Sequence, residues 1–295
     1  MMKRSMTRRF GVLPVWACAA GLVVGLAPAA WAQSTPDLTA SSGGALARDA
    51  AVPKNWRWTL GAGVGVAPDY EGGDDYEAAP IPLARAQKGH RFFDLFGLHA
   101  TSNLIDHPNW QIGPSLNFRR GYNNVSNKRV DNLTNRGGSV ELGMKGAYVV
   151  QLDQLVLPEP SLELALEFLH DVSGGHDGWL LTPSLSYAAP LSPRWNFRTG
   201  VESTYASGSY MSHYFSINSS DAANSGLQNF DADAGFKDVA WNLGLGFEIT
   251  ERWDLGLVGQ YKRMLGDADD SPVVDDQGDS NQFFGGLTVS YSWGG

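Results

Sequence analysis

Residues 282–293 read QFFGGLTVSYSW, and the character of the side chain changes at every step along this stretch. The odd positions, from Phe283 to Trp293, hold apolar residues and one glycine, whereas the even positions hold mostly polar or small residues. A β-strand turns alternate side chains to opposite faces, so this segment has one apolar face and one polar face. The helical spacing of three and four residues does not account for the pattern. The stretch therefore predicts a strand of the kind that builds transmembrane barrels.

The same alternation recurs along the chain, in segments that are about as long as a tilted strand needs to cross a bilayer. The clearest are residues 56–66, 110–122, 140–152, 162–172, 181–191, 195–205, 239–249 and 253–265. Pro80 and Pro82 interrupt the interval between the first two. Three short strands there, at 76–86, 90–96 and 98–104, give twelve in total, and a single strand gives ten. We predict an all-β fold, a transmembrane antiparallel β-barrel of twelve strands, with ten as the alternative.

The amino terminus has the features of a secretory signal peptide. Four basic residues precede a mostly apolar run over residues 10–30, and Ala30-Trp31-Ala32 fits a cleavage site. A transmembrane anchor is the alternative, but Pro14 and Pro28 interrupt the run. We expect a cleaved signal peptide at residues 1–32, a flexible periplasmic tail at 33–54 and an outer-membrane barrel at 55–295.

Charge and cysteine content narrow the classes of function. The net charge is −9, and removing residues 1–32 with their four basic side chains would leave −13, so nucleic acid is not an expected partner. The single cysteine, Cys18, lies inside the predicted signal peptide, so the mature chain would contain no disulfide.

The connections between predicted strands are of two lengths, which predicts the orientation of the barrel. Short turns at 192–194 and 250–252 alternate with long polar loops at 122–138, 206–237 and 266–281. Outer-membrane barrels place short turns in the periplasm and long loops outside. Five tryptophans then share a belt at the periplasmic interface: Trp56, Trp110, Trp195, Trp253 and Trp293.

Charged side chains of both signs fall on the predicted lumen face. The basic ones are Arg57, Arg119, Lys145, Arg198 and Lys262, and the acidic ones are Glu141, Glu163, Glu167, Glu202 and Glu248. Two interpretations remain open: a lumen filled by paired charges, or an open channel.

The sequence contains no arrangement of residues that is typical of an enzyme active site. The six histidines lack metal-site spacing, and His170 and Ser203 share the outward face but are separated by the strand at 181–191. We therefore predict no catalytic residue, no metal ligand and no cofactor. The acidic loops at 69–77 and 267–279 are interpreted as solvated, with loose divalent-ion binding beside lipopolysaccharide as a hypothesis.

Several loop motifs, in order along the chain, carry a family resemblance. They are PDYEG at 68–72 with PIP at 80–82, SYM at 209–211 with YF at 214–215, SGL at 225–227, GFKD at 235–238 and LGDADDSP at 265–272. Together they resemble the MltA-interacting protein (MipA/OmpV) family. The loop residues that match are Pro68, Asp69, Tyr70, Gly72, Tyr210, Met211, Tyr214, Phe215, Asp267, Asp270, Ser271 and Pro272.

The resemblance implies a location in the bacterial outer membrane, in contact with its lipid and lipopolysaccharide. It also implies a non-enzymatic scaffold that brings a murein lytic transglycosylase together with a penicillin-binding protein. Other members are linked to adhesion, osmotic response, or entry of solutes and antibiotics, so a porin-like channel for small solutes is the alternative. On physical grounds we expect Pro68 and Gly72 to shape a turn. Tyr210, Tyr214 and Phe215 could fold the longest loop back over the barrel mouth.

Overall fold

The computed structural model describes residues 52–134, 136–152 and 160–295. The predicted signal peptide at 1–32 and nearly all of the predicted tail at 33–54 lie outside the described residues. In the part of the chain that the structure describes, no helix is long and apolar enough to cross a membrane.

Twelve antiparallel strands form a closed barrel in which β1 pairs with both β2 and β12. The prediction of twelve strands is confirmed, including the three short ones that precede β5, and the alternative of ten is wrong. The strands are β1 (Arg57–Pro68), β2 (Tyr76–Lys88), β3 (Arg91–Phe96), β4 (His99–Asn103), β5 (Trp110–Arg119), β6 (Ser139–Gln151), β7 (Ser161–Asp171), β8 (Trp179–Ser192), β9 (Trp195–Ala206), β10 (Gly235–Glu248), β11 (Trp253–Met264) and β12 (Asn281–Gly294).

The barrel wall separates apolar from polar side chains, as the alternation predicts. Leu60 and Leu287 point outward and are 56% and 63% exposed, whereas Thr59 and Ser292 on the same strands point inward and are buried. The two inward hydroxyl oxygens lie 2.8 Å apart across the β1–β12 seam. An apolar outer surface around a polar interior is the arrangement of a barrel that stands in lipid.

The two ends of the barrel differ. At the turn end the connections are mostly short, and tryptophans such as Trp110 and Trp253 form a belt. At the loop end four short helices fold within the connections, where the sequence pattern indicated only polar loops. These helices are α1 (Lys128–Asp131), α2 (Gly208–Phe215), α3 (Ser219–Ser225) and α4 (Asp267–Asp270).

Strand β10 begins four residues before the predicted start at residue 239. Phe236 pairs with Tyr205 and Asp238 pairs with Thr204, so Lys237 is an extra residue at a register shift. This β-bulge turns both Lys237 and Asp238 into the barrel, where each is at most 1% exposed. Because the bulge breaks the even-odd alternation, the pattern could not reveal this end of the strand.

Candidate functional site

A small hydrophobic core closes the loop end of the barrel, and we name it the plug. Its centre is α2, whose Tyr210, Met211, Tyr214 and Phe215 are at most 1% exposed. Ile217 follows α2 in the same loop, and the other loops add further members, which include Tyr70, Tyr122, Val130, Leu133, Val273 and Val274. The longest loop therefore folds into the barrel mouth and is covered there by side chains of its neighbours.

The loop residues that match the family motifs supply much of the plug. Ser271 Oγ donates to the carbonyl of Phe215 at 2.6 Å, and Tyr70 Oη donates to the carbonyl of Gln277 at 2.7 Å. Gly72 has a φ of 96°, and a Cβ there would collide with the Val274 side chain. Pro68 ends β1, and Asp69 follows it. Asp267 and Asp270 lie in α4, where their side chains are partly or fully exposed, outside the packed core.

Directly beneath the plug, four charged side chains form what we name the Glu71 cluster. Lys237 Nζ lies 2.5 Å from Glu71 Oε1 and 2.6 Å from Asp238 Oδ2. Lys262 Nζ lies 3.5 Å from the same two carboxylates. Tyr210 Oη donates to Glu71 Oε2 at 2.7 Å, so the cluster is tied to α2. The plug and the barrel wall are thus joined by charge-assisted hydrogen bonds.

The surroundings of Glu71 favour its ionised form, although its side chain is only 16% exposed. Burial acts to raise the pKa of Glu71, but the ammonium groups of Lys237 and Lys262 outweigh it and hold the pKa well below its usual value. The interpretation of residues 69–77 as a solvated loop is therefore wrong for Glu71, and also for Asp69, which is 3% exposed and accepts the N–H of Ser126 at 2.8 Å. Their partners come from distant parts of the chain, so local composition could not reveal the burial.

Further charges pair along the lumen wall. Arg119 Nε lies 2.6 Å from Glu141 Oε1, and Glu163 accepts from both Lys145 at 3.0 Å and Arg198 at 3.1 Å. The structure brings most of the predicted lumen charges together in such contacts, and the rest are placed as follows. Glu167 pairs with His99 at 3.0 Å, and Glu202 lies 3.5 Å from Gln260 Nε2. Arg57 at the start of β1 and Glu248 at the end of β10 stand at the turn end.

Sequence reasoning missed two histidines of this network. His176, in the connection between β7 and β8, is 4% exposed and its Nε2 lies 2.9 Å from Glu141 Oε1. His99 reaches Glu167 across the lumen. Lys237 and Asp238 were also missed as lumen charges, although both belong to the GFKD motif quoted for the family. Among the described residues, no group of three or more His, Cys, Asp or Glu side chains could hold a metal ion.

Acid is expected to loosen α2. Burial lowers the pKa of His213, and the nearby Arg136 and His176 lower it further, while Asp171 acts in the opposite direction. The folded protein thus favours neutral His213. The resulting stability is fully present above the ordinary pKa of 6.5 and is lost as the pH falls below it. Hydrogen exchange of α2 amides, corrected for intrinsic rates, should show weaker protection at pH 5.5 than at pH 7.5. His213→Gln should remove most of this difference, whereas exposed His107→Gln should preserve it.

A closed barrel with an apolar outer surface, aromatic residues at its rims and a polar interior is a transmembrane barrel of the outer-membrane class. The chain belongs to the family described as MltA-interacting protein MipA, whose model matches residues 60–293. It is a protein of the bacterial outer membrane, which confirms the predicted family and location. By the general rule for such barrels, the turn end faces the periplasm and the loop end faces the exterior.

Individual relatives are more distant. Outer membrane protein Omp26La of Vibrio anguillarum is 32% identical over 90 residues, which are 30% of this chain and 32% of that protein. The chain thus matches about a third of this curated relative. Among solved structures, the COG4313 outer membrane channel from Pseudomonas putida F1 is 12% identical with a TM-score of 0.45, covering 82% of this chain and 97% of that one. OmpT of Vibrio cholerae is 7% identical with a TM-score of 0.37, covering 81% and 96%.

Proposed function

We propose that the protein is a non-enzymatic outer-membrane scaffold whose periplasmic face binds a murein lytic transglycosylase and gathers a penicillin-binding protein beside it. The description of the family names an interaction with MltA. The observation that carries the proposal is an ordered periplasmic loop, residues 104–109, which exposes two apolar side chains at the periplasmic rim of the barrel. The predicted tail at 33–54 would lie on the same side of the membrane and extend this surface.

Hydrogen bonds to the β2–β3 turn and to strands β5 and β6 hold the loop in place. Asn103 Oδ1 accepts the N–H groups of Ile105 at 3.1 Å and Ile112 at 3.0 Å, while its Nδ2 donates to the carbonyl of His90 at 2.6 Å. Asp106 Oδ1 accepts the N–H of His90 at 2.9 Å. Asn109 Nδ2 donates to the carbonyl of Val149 at 2.8 Å. A partner would therefore meet a loop that is already ordered, which reduces the entropy lost on binding.

The start of the loop exposes a pair of adjacent apolar side chains beside the Trp110 belt, where the Leu104 N–H donates to the carbonyl of Ile112 at 3.0 Å. Leu104 is 41% exposed and Ile105 is 36% exposed. Exposed Lys88 and Arg91 flank the neighbouring turn. An apolar centre with a charged rim is typical of a surface that binds another protein.

The plug and the paired lumen charges favour a scaffold over the alternative, a channel for small solutes. Ion flow through a barrel needs a continuous aqueous path, and α2 with the Glu71 cluster occupies the mouth. We expect planar bilayers that contain the protein to show no stable conductance steps. A regular ohmic conductance would instead support the channel.

A binding measurement tests the scaffold directly. The purified lytic transglycosylase of the same bacterium should bind the detergent-solubilised barrel in biolayer interferometry. The double substitution Leu104→Asp and Ile105→Asp should weaken binding at least tenfold, because it places charge at the centre of the contact. Val172→Asp is the matched control, since Val172 is 55% exposed at the opposite end of the barrel. Equal affinity of both variants, or no binding by the unaltered protein, would overturn the proposal.

A further inference from the structure

The hydrogen-bonded ladder of the barrel wall is interrupted on its outer half, between β2 and β5. The ladder joins Leu83, Phe96, His99 and Asn117 side by side across four strands. Towards the loop end, β2 continues seven residues beyond this level and β5 continues two, whereas β3 and β4 stop there. The Gly97–Leu98 turn forms the lower border of the gap, through a hydrogen bond from Gly97 N–H to the carbonyl of Pro82 at 2.9 Å. We name this gap the window.

Pro80 and Pro82 lie on β2, and the absence of their N–H groups is compatible with a strand edge that pairs with no other strand. The carbonyl of Pro82 points towards β3, because it accepts from Gly97. Within a strand, the N and C=O of one residue point to the same side, and this side repeats at every second residue. The missing N–H groups of Pro82 and Pro80 therefore both face the window. Proline at an edge prevents pairing with a further strand, which keeps the window from closing by strand addition.

The window lies within the apolar band of the barrel. Pro80 pairs with Val64, which in turn pairs with Leu287. The side chains of Val64 and Leu287 are 59% and 63% exposed on the outer surface. A molecule that passes through the window would therefore come from the lipid and not from the aqueous exterior.

Behind the window the lumen is apolar, unlike the rest of the interior. Six buried side chains form one cluster there: Ala67, Ala79, Ile81, Phe96, Val258 and Phe284. A cavity of about 90 Å³ adjoins it and is lined by Phe284 of the cluster, by Phe118 and Arg120 at the window's edge, and by Tyr122 and Tyr214 of the plug. Six of the fourteen lining residues are aromatic, and seven carry charged or amide side chains.

The charged groups of the cavity are already paired. Arg119 is bonded to Glu141, and Glu71 and Lys262 belong to the Glu71 cluster. Arg120 Nη1 lies 2.8 Å from Glu77 Oε1 and donates to the carbonyl of Asp69 at 2.8 Å, which closes the upper border of the window. A charged ligand would have to break one of these pairs, so a neutral ligand fits best.

We propose that the window admits a small, neutral, single-ring aromatic molecule from the outer leaflet into this cavity. Aromatic walls favour a ring, and the small volume excludes a bulky ligand. The Arg120–Glu77 ion pair forms the upper edge past which the ligand enters. This binding site lies on the opposite half of the barrel from the proposed periplasmic contact and does not depend on it.

Photolabelling in lipid nanodiscs tests the site. The probe is an iodophenyl trifluoromethyl diazirine, and labelled residues are mapped by mass spectrometry of the full protein. We expect labels on Phe284 or Tyr122 within the cavity, in addition to outward residues such as Leu287. An excess of toluene should compete away at least four-fifths of the cavity label and little of the label on Leu287.

Two substitutions probe the route. Ala79→Phe narrows the lumen behind the window and should reduce the cavity label at least fivefold. Ala147→Phe, at another buried alanine near the turn end of the barrel, where it pairs with Gln111, should leave it unchanged. Arg120→Ala should raise the rate of cavity labelling. It provides a second test if Ala79→Phe fails to fold, as judged by heat-modifiable electrophoretic mobility.

The proposal is overturned if labels appear only on outward residues, or if neither Ala79→Phe nor Arg120→Ala changes the cavity label. Cavity label that toluene does not displace would assign the site to a lipid acyl chain and likewise overturn the proposal.

Discussion

Replacing Lys237 with methionine is expected to destabilise the barrel by roughly 3–5 kcal/mol, the cost of removing one partner of a buried ion pair. The Lys237 side chain is fully buried between Glu71 and Asp238. Without it, two carboxylates remain beneath the plug with one cation, Lys262, at 3.5 Å from each. The midpoint of guanidinium unfolding in detergent, followed by tryptophan fluorescence, measures the loss.

Lys128→Met is the matched control for this substitution. The Lys128 side chain is 80% exposed and pairs with Asp131 at 3.3 Å within α1. An exposed pair of this kind contributes little to stability, so the free energy of unfolding should change by less than about 0.5 kcal/mol. Adding Glu71→Gln to Lys237→Met should recover part of the loss, because it removes one of the two carboxylates left without a close cation. A Lys237 variant as stable as the Lys128 variant would show that the Glu71 cluster does not stabilise the fold.

The same cluster predicts a dependence on pH. Burial would raise the pKa of Glu71, but Lys237 and Lys262 lower it, so the folded state holds this carboxylate ionised. Its contribution to stability is then fully present above the ordinary pKa of 4.5 and is lost progressively as the pH falls below that value. In the Lys237→Met background this acid-induced loss should be much smaller.

Tyr210→Ala is expected to unfold the plug locally, at a cost of roughly 3–5 kcal/mol for truncating a buried aromatic side chain. The Tyr210 ring is fully buried, its hydroxyl donates to Glu71, and the Arg119 guanidinium lies 5.0 Å from the ring centre. Protection of α2 amides against hydrogen exchange should fall more than a hundredfold, while exchange in the strands stays slow. Planar bilayers should then show brief current openings that the unaltered protein lacks.

Tyr210→Phe separates the ring from its hydroxyl. This variant keeps the packing and loses one hydrogen bond to the Glu71 carboxylate, so the cost should be about 1.5–3 kcal/mol. The mouth should stay closed. Equal protection of α2 in the alanine and phenylalanine variants would show that the ring does not hold the plug.

Much of the barrel could be predicted because its information is local. A strand in lipid must alternate its side chains, so Leu60, Thr59 and their equivalents reveal both the strand and its two faces without knowledge of their neighbours. An even total allowed one or three strands between residues 76 and 104, and the prediction of three is confirmed by β2, β3 and β4. The bulge at Lys237 escaped prediction because it breaks the period on which this reasoning depends.

The amino-acid sequence by itself determined most of the strands, the polar or apolar character of each face and the family resemblance, and it narrowed the number of strands to ten or twelve. Only the tertiary structure decided that the acidic loop at Glu71 is buried, that His176 lies inside the barrel, and that β2 and β5 border a window. The physical reason is the separation along the chain between the residues that make each contact. Alternation acts between adjacent residues, whereas Glu71 meets Lys237 only after the chain has closed its ring and folded its longest loop inward.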